Sequence, residues 1–217
     1  MYPINLRMEG RRCAVVGGGQ VAWRKIVRLL DCGARITVIA PRLDPRLEAM
    51  AKEHKLVWER RTYSSGMLKG FFCVFCATDS HEVNRQAADE ARGGGALVNV
   101  ASAPELCDFT LPGVVRRGPL QFSVSTDGAS PGFARLLRED MEKRYHEGFA
   151  DFAAFLQGQR QLLMERGGDS HSREAVWQHL LNEDIVKLIL DKDLDRAKDE
   201  IRNGIAGVGA EPSDSSR

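Results

Sequence analysis

Short apolar runs alternate with amphipathic segments along the first hundred residues of the chain. The runs are rich in β-branched, aromatic and cysteine residues, which is typical of strands, and they lie at 12–17, 34–40, 55–61, 70–78 and 96–101. The segments between them have helical periodicity and lie at 20–33, 44–54 and 80–94. This alternation predicts an α/β fold with a Rossmann-like parallel sheet that has helices on both faces.

Individual residues indicate where these helices begin and end. Gly33 stands where a helix commonly stops. Asp44 followed by Pro45 is typical of an N-cap and a first helical position. The run 70–78 is apolar throughout, as a strand covered on both faces should be.

The pattern changes after Pro112. One more strand is predicted at 118–126 and a long helix from about 133 to 166. The segment 167–172 is predicted to break that helix, and further helices are predicted from 173 to 203. Small and polar residues at 207–217 predict a disordered tail.

Composition narrows the class of protein. The chain has 217 residues, 43% hydrophobic and 28% charged, which is ordinary for a globular protein with a core. A net charge of +1 gives no reason to expect nucleic acid or an anionic membrane as a partner. No apolar stretch approaches the ~18–20 residues of a membrane span. The first twelve residues lack the apolar segment of a secretory signal, so we expect the mature chain to start here and the protein to be cytoplasmic.

Five cysteines lie mostly in apolar segments, which favours buried thiols in a reducing compartment. Cys73 and Cys76 form a C-x-x-C pair, a spacing also found in metal and redox sites. In a strand, residues three apart point to opposite faces. We therefore expect two core cysteines here.

A glycine-rich turn follows the first predicted strand. Gly17, Gly19 and Ala22 fit G-x-G-x-x-[G/A] at the opening of the first helix. In that geometry the first glycine makes the turn, the second admits a pyrophosphate, and the third small residue lets helix and strand pack closely. The phosphates meet unpaired N–H groups at the positive end of the helix dipole. The pattern predicts a dinucleotide site.

The second predicted strand lacks the acidic residue that usually holds the ribose of NAD. Ala40, Pro41 and Arg42 stand there instead. Arg42 suits a 2′-phosphate, or it is a solvated loop charge. On these residues alone, the choice between NAD and NADP stays open.

Four strings in this order resemble the precorrin-2 dehydrogenases, including the N-terminal module of sirohaem synthases: "VVGGGQVAWRK", "CATDSHEVN", "VNVASAPELCDFTLP" and "GPLQFSVSTDGASPGFARLLRE". The resemblance covers about residues 3–145. It implies oxidation of precorrin-2 to sirohydrochlorin with NAD as cofactor. Some members also insert ferrous iron. It further implies a homodimer with an NAD-binding domain at 1–113, a dimerisation region at 114–147 and a helical domain at 148–206.

Position by position, the resemblance implies that the pyrophosphate is lined by Gly18, Gly19, Gln20 and Val21. It places the adenosine ribose near Pro41 and Arg42, and the family's use of NAD favours NAD over NADP here. It places the nicotinamide near the ends of the fourth and fifth strands, at Ala77, Thr78 and Asn99.

The chain departs from the family at Ser102. The family has an aspartate there, proposed as the acid or base for dehydrogenation and chelation. A serine hydroxyl is not a base at neutral pH unless another group activates it. Asp108 and His81 are the nearest alternatives along the sequence, although Asp108 also suits a turn brace and His81 a surface position.

Three functions therefore compete. We expect the dehydrogenase, with chelation left open and the metal unknown. A dinucleotide-sensing or scaffold module without catalysis is the alternative, and so is a chelatase without redox function.

The implied substrate carries eight carboxylates, which arginine suits. Arg116 and Arg117 are the preferred candidates for binding these carboxylates. Arg135 and Arg138 are weaker candidates, because they also fit i, i+4 charge pairs on a helix. Ser125 and Thr126 are further substrate-site candidates. The segment after them also reads as a turn in which Ser130 caps a helix that begins at Pro131. Some relatives carry a regulatory phosphoserine in this segment; Thr126 stands at that position.

Overall fold

A computed structural model describes residues 1–165 and 170–207. Their contacts divide the chain into two units, Met1–Leu111 and Pro112–Arg217. Within the described residues, no helix is both long and apolar enough to span a bilayer.

The first unit is built on a five-stranded sheet in which every pairing is parallel. The strand order is β3-β2-β1-β4-β5. The strands are β1 Arg12–Val16, β2 Arg35–Ile39, β3 Val57–Glu59, β4 Cys73–Cys76 and β5 Leu97–Val100. All five predicted strands are therefore confirmed, with β3 and β4 shorter than expected. From β1 the chain first adds strands on one side of the sheet and then, from β4, on the other. An open α/β sheet binds its ligands at this topological switch point, beside the carboxyl ends of β1 and β4.

Helices cover both faces of this sheet, as predicted. They are α1 Gln20–Asp31, α2 Pro45–Lys52 and α3 His81–Gly93. Buried residues of α1 and α2 pack on one face with Val15 and Cys73, whereas the buried alanines of α3 pack on the other face with Val16 and Cys76. Cys73 and Cys76 thus lie on opposite faces. The core reading of the C-x-x-C pair is confirmed.

The predicted caps of this unit are present. The Asp44 side chain accepts a hydrogen bond from the N–H of Arg46, and Pro45 opens α2. Gly33 follows α1 with a φ of +75°, which favours glycine.

The crossover from β3 to β4 has no helix, and Glu90 of α3 holds it in place. One Glu90 oxygen accepts from the N–H of Leu68 at 2.7 Å. The other accepts from the N–H of Gly66 at 2.9 Å and from the Tyr63 hydroxyl at 2.6 Å. Burial raises the pKa of Glu90, but these donors outweigh it and leave the pKa below its usual range. Burial, together with the hydrogen bond to the Glu90 carboxylate and its charge, raises the pKa of Tyr63.

Glu90→Gln is expected to lower the free energy of unfolding by about 1–2 kcal/mol. Glutamine keeps one acceptor oxygen, whereas the two oxygens of the Glu90 carboxylate accept hydrogen bonds from three donors. A carboxylate whose pKa is lowered by folding contributes stability above its unfolded pKa of ~4.3 and loses it as pH falls through the folded value. The gap between wild type and variant should therefore be full at neutral pH and shrink below about pH 4. Urea unfolding from pH 3 to 7 measures this gap. Asp89→Asn, a change at an exposed residue of the same helix, is the control. A difference in free energy of unfolding between wild type and Glu90→Gln that does not vary with pH would contradict the account.

The second unit contains a β-hairpin followed by helices. The hairpin pairs β6 Gly113–Arg117 with β7 Leu120–Val124 in antiparallel register. The helices are α4 Pro131–Arg144, α5 Gly148–Glu165, α6 Ser170–Leu180, α7 Glu183–Leu190 and α8 Leu194–Gly207. Phe149, Phe152, Ile185 and Ile201 belong to its buried core. The helical C-terminal region is confirmed, and Ser130 caps α4 as predicted.

One prediction for this unit is confirmed but incomplete, and one was wrong. The strand predicted at 118–126 is β7, and it pairs with a second strand, β6, that the sequence pattern did not reveal. The helix predicted from 133 to 166 is two helices, because residues 145–147 leave the helical path. Arg117 binds the carbonyls of Glu142 and Tyr145 there, at 2.8 and 2.7 Å. His146 Nε2 lies 2.8 Å from the carbonyl of Ile189.

The remaining predictions for this unit fall largely outside the described residues. Of the predicted break at 167–172, residues 167–169 lie there and α6 already begins at Ser170. Of the predicted tail, only Gly207 is described, and it ends α8.

Candidate functional site: the glycine turn and the strand ends around it

The turn between β1 and α1 is tightly packed at its first two glycines. Gly17 has a φ of +116°, and a Cβ added there would overlap the carbonyl of Ala77. A Cβ on Gly18 would overlap the carbonyl of Arg42. Both positions require glycine because other parts of the main chain lie against them.

Gly19 differs, because a Cβ added there meets nothing within 4 Å. It is also the N-cap of α1, where no side chain satisfies the first turn, and α1 has no acidic residue in that turn. The N–H groups of a first helical turn have no acceptor within the helix and carry partial positive charge. Gly19, Gln20 and Val21 therefore form an open cradle of donors whose size and charge fit a pyrophosphate.

The loop after β2 lies directly against this turn. The N–H of Asp44 donates to the carbonyl of Gly18 at 2.7 Å. Ala40 is buried and its carbonyl accepts from the Trp58 indole at 2.8 Å, while Pro41 and Arg42 are exposed. Hydrogen bonds from Arg46 hold the pKa of Asp44 down at about 2. The turn and the β2 loop thus form one continuous edge beside the switch point.

The end of β4 supplies the opposite side of this edge. The N–H of Ala77 donates to the carbonyl of Val16 at 2.8 Å. The Thr78 hydroxyl and N–H both donate to Asn84 Oδ1, at 2.7 and 3.1 Å, and Asn84 Nδ2 donates back to the carbonyl of Thr78 at 3.0 Å. Asn84 is 1% exposed. It fixes the Ala77–Thr78 corner, and sequence reasoning did not single it out, although an asparagine on an alanine-lined helix face is a usable signal.

Asn99 lies on β5, and both polar atoms of its amide make hydrogen bonds within the protein. Its Oδ1 accepts from Lys25 Nζ at 2.7 Å, and its Nδ2 donates to the carbonyl of Phe109 at 3.0 Å. The Lys25 side chain lies over the Phe75 ring, and burial lowers the pKa of Lys25. Lys25 was missed from sequence because its partner is 74 positions away. The arrangement ties α1 to β5 and uses part of the hydrogen-bonding capacity of the Asn99 amide, which has two acceptor and two donor sites.

Ser102 is exposed in the loop between β5 and a short 3-10 turn, Pro104–Leu106. Asp108 closes the far end of this loop: its Oδ2 accepts from the N–H of Val98 at 2.9 Å and its Oδ1 accepts from Arg92 at 3.1 Å. The Cys107 thiol lies 3.1 Å from the N–H of Val100. The Asp108 contacts are those of a brace that fixes the Ser102 loop, which favours that interpretation over a free base.

His81 is the first residue of α3 and is exposed. No contact recorded for the described residues brings it to Ser102. The surface interpretation of His81 fits this position.

The predicted substrate arginines of the second unit are mostly engaged locally. Arg117 is 13% exposed in its side chain, and it donates to three main-chain carbonyls at the end of α4 and on β6. Arg135 pairs with Glu139 at 2.7 Å, and Arg138 with Glu142 at 2.6 Å, the i, i+4 pattern of a solvated helix. Arg117 also pairs with the Glu147 carboxylate at 3.4 Å, so its donors are engaged within the unit, and its role as a substrate ligand stays a prediction. Arg116 is exposed on β6.

Ser125 and Thr126 belong to the turn that leads into α4. The Thr126 hydroxyl accepts from the N–H of Ser130 at 3.2 Å and donates to the carbonyl of Ser130 at 3.1 Å. Ser125 accepts from the N–H of Asp127 at 3.3 Å. Both hydroxyls therefore stabilise the turn, and Ser125 is the more exposed of the two.

A parallel sheet with an open glycine cradle at its switch point defines a dinucleotide-binding domain. Comparison with known proteins agrees. The family model described as putative NAD(P)-binding matches residues 4–113, and the model described as sirohaem biosynthesis protein central matches residues 117–144. The chain belongs to this NAD(P)-binding family.

Similar proteins confirm the resemblance deduced from the four motifs. Siroheme synthase of Nitrosococcus oceani is 34% identical over 98% of this chain and 48% of the relative. Siroheme synthase 1 of Aeromonas salmonicida is 37% identical over 84% of this chain and 39% of the relative. A solved structure titled "SirC, precorrin-2 dehydrogenase" matches 92% of this chain and all of its own with a TM-score of 0.75 and 27% identity. The chain spans about half the length of these curated relatives.

Proposed function

We propose that this protein oxidises precorrin-2 to sirohydrochlorin with NAD+. The observation that carries the proposal is the open cradle at Gly19 beside the uncapped start of α1. Support for the substrate comes from the siroheme synthases and from the structure titled precorrin-2 dehydrogenase, which are similar over most of the chain. Conversion requires loss of a hydride and a proton from the substrate.

The protein's part in this reaction is mainly to bind and orient. When bound, NAD+ supplies the hydride acceptor. The N–H groups at the start of α1 hold the pyrophosphate, and the Ala77–Thr78 corner, fixed by Asn84, borders the nicotinamide side. Holding two reactants in a productive geometry supplies a large share of such a rate enhancement. Ser102 offers no carboxylate, so the proton passes to water or to a neighbouring carboxylate.

Iron insertion is a second proposed step, with ferrous iron as a substrate. Among residues 1–165 and 170–207, no group of three or more His, Cys, Asp or Glu side chains is placed to hold a metal ion. Ser102 also lacks the carboxylate that the family provides. We therefore propose dehydrogenation as the main activity.

A module that binds the dinucleotide without catalysis is the competing function. The observation that favours it is the serine at position 102 in an exposed loop. A chelatase without redox function is the third candidate.

An anaerobic assay with precorrin-2 and NAD+ separates the three. The proposal expects NADH and sirohydrochlorin absorbance to rise together, before any metal is added. Nucleotide binding without turnover supports the sensing module. Metal uptake by added sirohydrochlorin without NAD supports the chelatase.

We also propose that the chain forms a homodimer through the region 114–147. Helix α4 buries none of its own residues within the described unit, and Phe133 and Leu136 are 53% and 61% exposed on it. These two side chains are three positions apart and share one helical face. The region coincides with the sirohaem central model, and an exposed apolar pair on an unburied helix suits a subunit contact.

The double change Phe133→Glu and Leu136→Glu is expected to convert the dimer to a monomer, because it places charge in the apolar centre of the proposed contact. Light scattering coupled to size exclusion measures the mass, with 24.1 kDa as the monomer. The control is Leu162→Glu with Met164→Glu, which changes two similarly exposed residues of α5. A monomeric wild type, or a dimer that survives the α4 change, refutes this interface.

A cytoplasmic location belongs to the same proposal. All five cysteines are free thiols and three are buried, as expected in a reducing compartment.

A further inference from the structure

One half of the sheet face that carries α3 has no helix over it. α3 packs against β4 and β5, whereas residues 60–72, which cross from β3 to β4, contain no helix. On the uncovered half, Thr37 of β2 lies beside its register partner Val57 of β3, and both side chains point to this face. Parallel sheets are normally covered on both faces. Here Val57 stays 58% exposed.

A cavity of about 180 Å³ opens on this half of the face. Its apolar lining comes from Ile39 and Val57 of the strands and from Met67 and Phe71 of the crossover, and we call it the β2–β3 cavity. A water molecule takes up ~30 Å³ in the liquid, so the cavity has room for a small organic molecule rather than for a single water.

Positive charge exceeds negative charge around the β2–β3 cavity. Its charged lining consists of three cations, Arg12, Arg61 and Lys69, and one carboxylate, Glu59. Glu59 pairs with Arg61 at 3.2 Å. Among residues 1–165 and 170–207, no carboxylate pairs with Arg12 or Lys69. The cavity therefore carries two positive charges that no ion pair offsets, which favours an anionic ligand.

The Arg12 side chain lies against an aromatic ring of the same cavity. Its guanidinium carbon is 4.7 Å from the centroid of the Phe71 ring, and Phe71 is itself buried. Stacking uses the flat face of a guanidinium, so the N–H donors at its edge stay available for a carboxylate or a phosphate. Arg12 thus offers these donors at the border between the charged and the apolar lining.

The cationic part of the cavity is separate from the glycine turn. Arg12 is the first residue of β1, and the turn follows Val16, the last. At ~3.3 Å per residue, Arg12 and Val16 lie about 13 Å apart along the strand. Lys69 likewise precedes β4, whereas the Ala77–Thr78 corner follows it. An anion at Arg12 and Lys69 would therefore lie toward the amino ends of the strands, away from the dinucleotide.

We propose that the β2–β3 cavity binds a small organic anion, either a carboxylate or a phosphate monoester, with a compact apolar body. The anionic group lies between Arg12 and Lys69, where it accepts charge-assisted hydrogen bonds. The apolar body lies on Val57, Met67 and Phe71. The inference goes beyond the proposed function and does not depend on it, because the cavity shares no residue with the glycine turn or the Ser102 loop.

Titration calorimetry with small probes tests this site in the intact protein, with NAD+ in excess so that the glycine turn is occupied. Phenyl phosphate and benzoate combine an anionic group with an apolar ring. Inorganic phosphate lacks the ring, and benzyl alcohol lacks the charge. At least one ring-bearing anion is expected to bind about 10-fold or more tightly than inorganic phosphate and than benzyl alcohol. The tighter of the two shows whether the site prefers a phosphate or a carboxylate.

Two variants connect the binding to the proposed cations. Arg12→Gln and Lys69→Gln are each expected to weaken the tighter anion about 10-fold, which corresponds to the loss of one charge-assisted hydrogen bond. Both side chains are exposed, so the fold should persist. Arg60→Gln is the matched control, because Arg60 is an exposed arginine that lies 5.1 Å over the Trp58 ring and does not line the cavity. It should leave the affinity unchanged.

Several results would overturn the proposal. They are equal weakening in Arg12→Gln and Arg60→Gln, benzyl alcohol binding as tightly as the anions, and no binding of either ring-bearing anion up to about 10 mM. Displacement of the anion by NAD+ would assign it to the dinucleotide site and would also overturn the proposal. Failure of NAD+ itself to bind, with the expected response of the anion to Arg12→Gln, would overturn the dinucleotide site alone.

Discussion

Gly19→Asp is expected to weaken NAD+ binding by about 100-fold or more while leaving the free energy of unfolding nearly unchanged. The new side chain enters open space, since nothing lies within 4 Å of a Cβ at this position. An aspartate there can cap α1 favourably, so the fold has no reason to weaken. The same carboxylate occupies the donors and repels the pyrophosphate. Loss of about two or three charge-assisted hydrogen bonds corresponds to a change of this size.

Isothermal titration with NAD+ and urea unfolding measure the two parts of this prediction. Gly93→Asp is the matched control, because its Cβ also meets nothing within 4 Å and it lies at the far end of α3. It should leave NAD+ affinity unchanged. An unaltered affinity in Gly19→Asp would place the pyrophosphate elsewhere, and a large loss of stability would show that the turn is not open.

Ser102→Asp is expected to raise the rate of precorrin-2 oxidation about 10- to 100-fold. It supplies the carboxylate that the resemblance to the precorrin-2 dehydrogenases implies for this position, and a positioned general base contributes roughly 10²–10⁴-fold in favourable cases. The lower end of this range is expected because position 102 is exposed, so a carboxylate there is less firmly positioned than a buried base. Cys107 and Asp108 hold the loop against β5, so the substitution should leave its course unchanged.

Ser102→Asn controls for size without supplying a base. The pH profile provides a second readout: Ser102→Asp should lose its advantage below about pH 4, where an exposed aspartate becomes protonated. Equal rates for the Asp and Asn variants would show that position 102 does not handle the proton. Absence of turnover in all three proteins, with NAD+ still bound, would support the sensing module.

The sheet was predictable because its signals are local. Apolar runs, the glycine turn and the caps at Asp44 and Ser130 each act within a few residues, and all appear in the fold. The core position of Cys73 and Cys76 followed from strand alternation alone.

The missed features depend on distant partners. The break between α4 and α5 requires Arg117 from the hairpin and the carbonyl of Ile189, neither of which the helical pattern contains. The Lys25–Asn99 bond joins residues 74 positions apart, so each looked independent in the sequence. Arg117 seemed a substrate ligand from its charge, whereas three carbonyls engage its donors.

The role of the Ser102 loop was predictable only in part from the sequence. Its aspartate, Asp108, was visible as a candidate, but only the hydrogen bonds to Val98 and Arg92 favour bracing over catalysis. The residue type limited Asp108 to two roles, a brace or a base, and its hydrogen-bond partners favour the brace.

A single-turnover experiment under anaerobic conditions tests the central proposal most directly. Protein and NAD+ in excess are mixed with a known amount of precorrin-2, without metal, and NADH and sirohydrochlorin are quantified together. We predict one NADH formed for each precorrin-2 consumed, with sirohydrochlorin as the product, and slower turnover in Gly19→Asp when NAD+ is below the level that saturates the variant. Sirohydrochlorin formed without NADH, or bound NAD+ that is never reduced, would contradict the account.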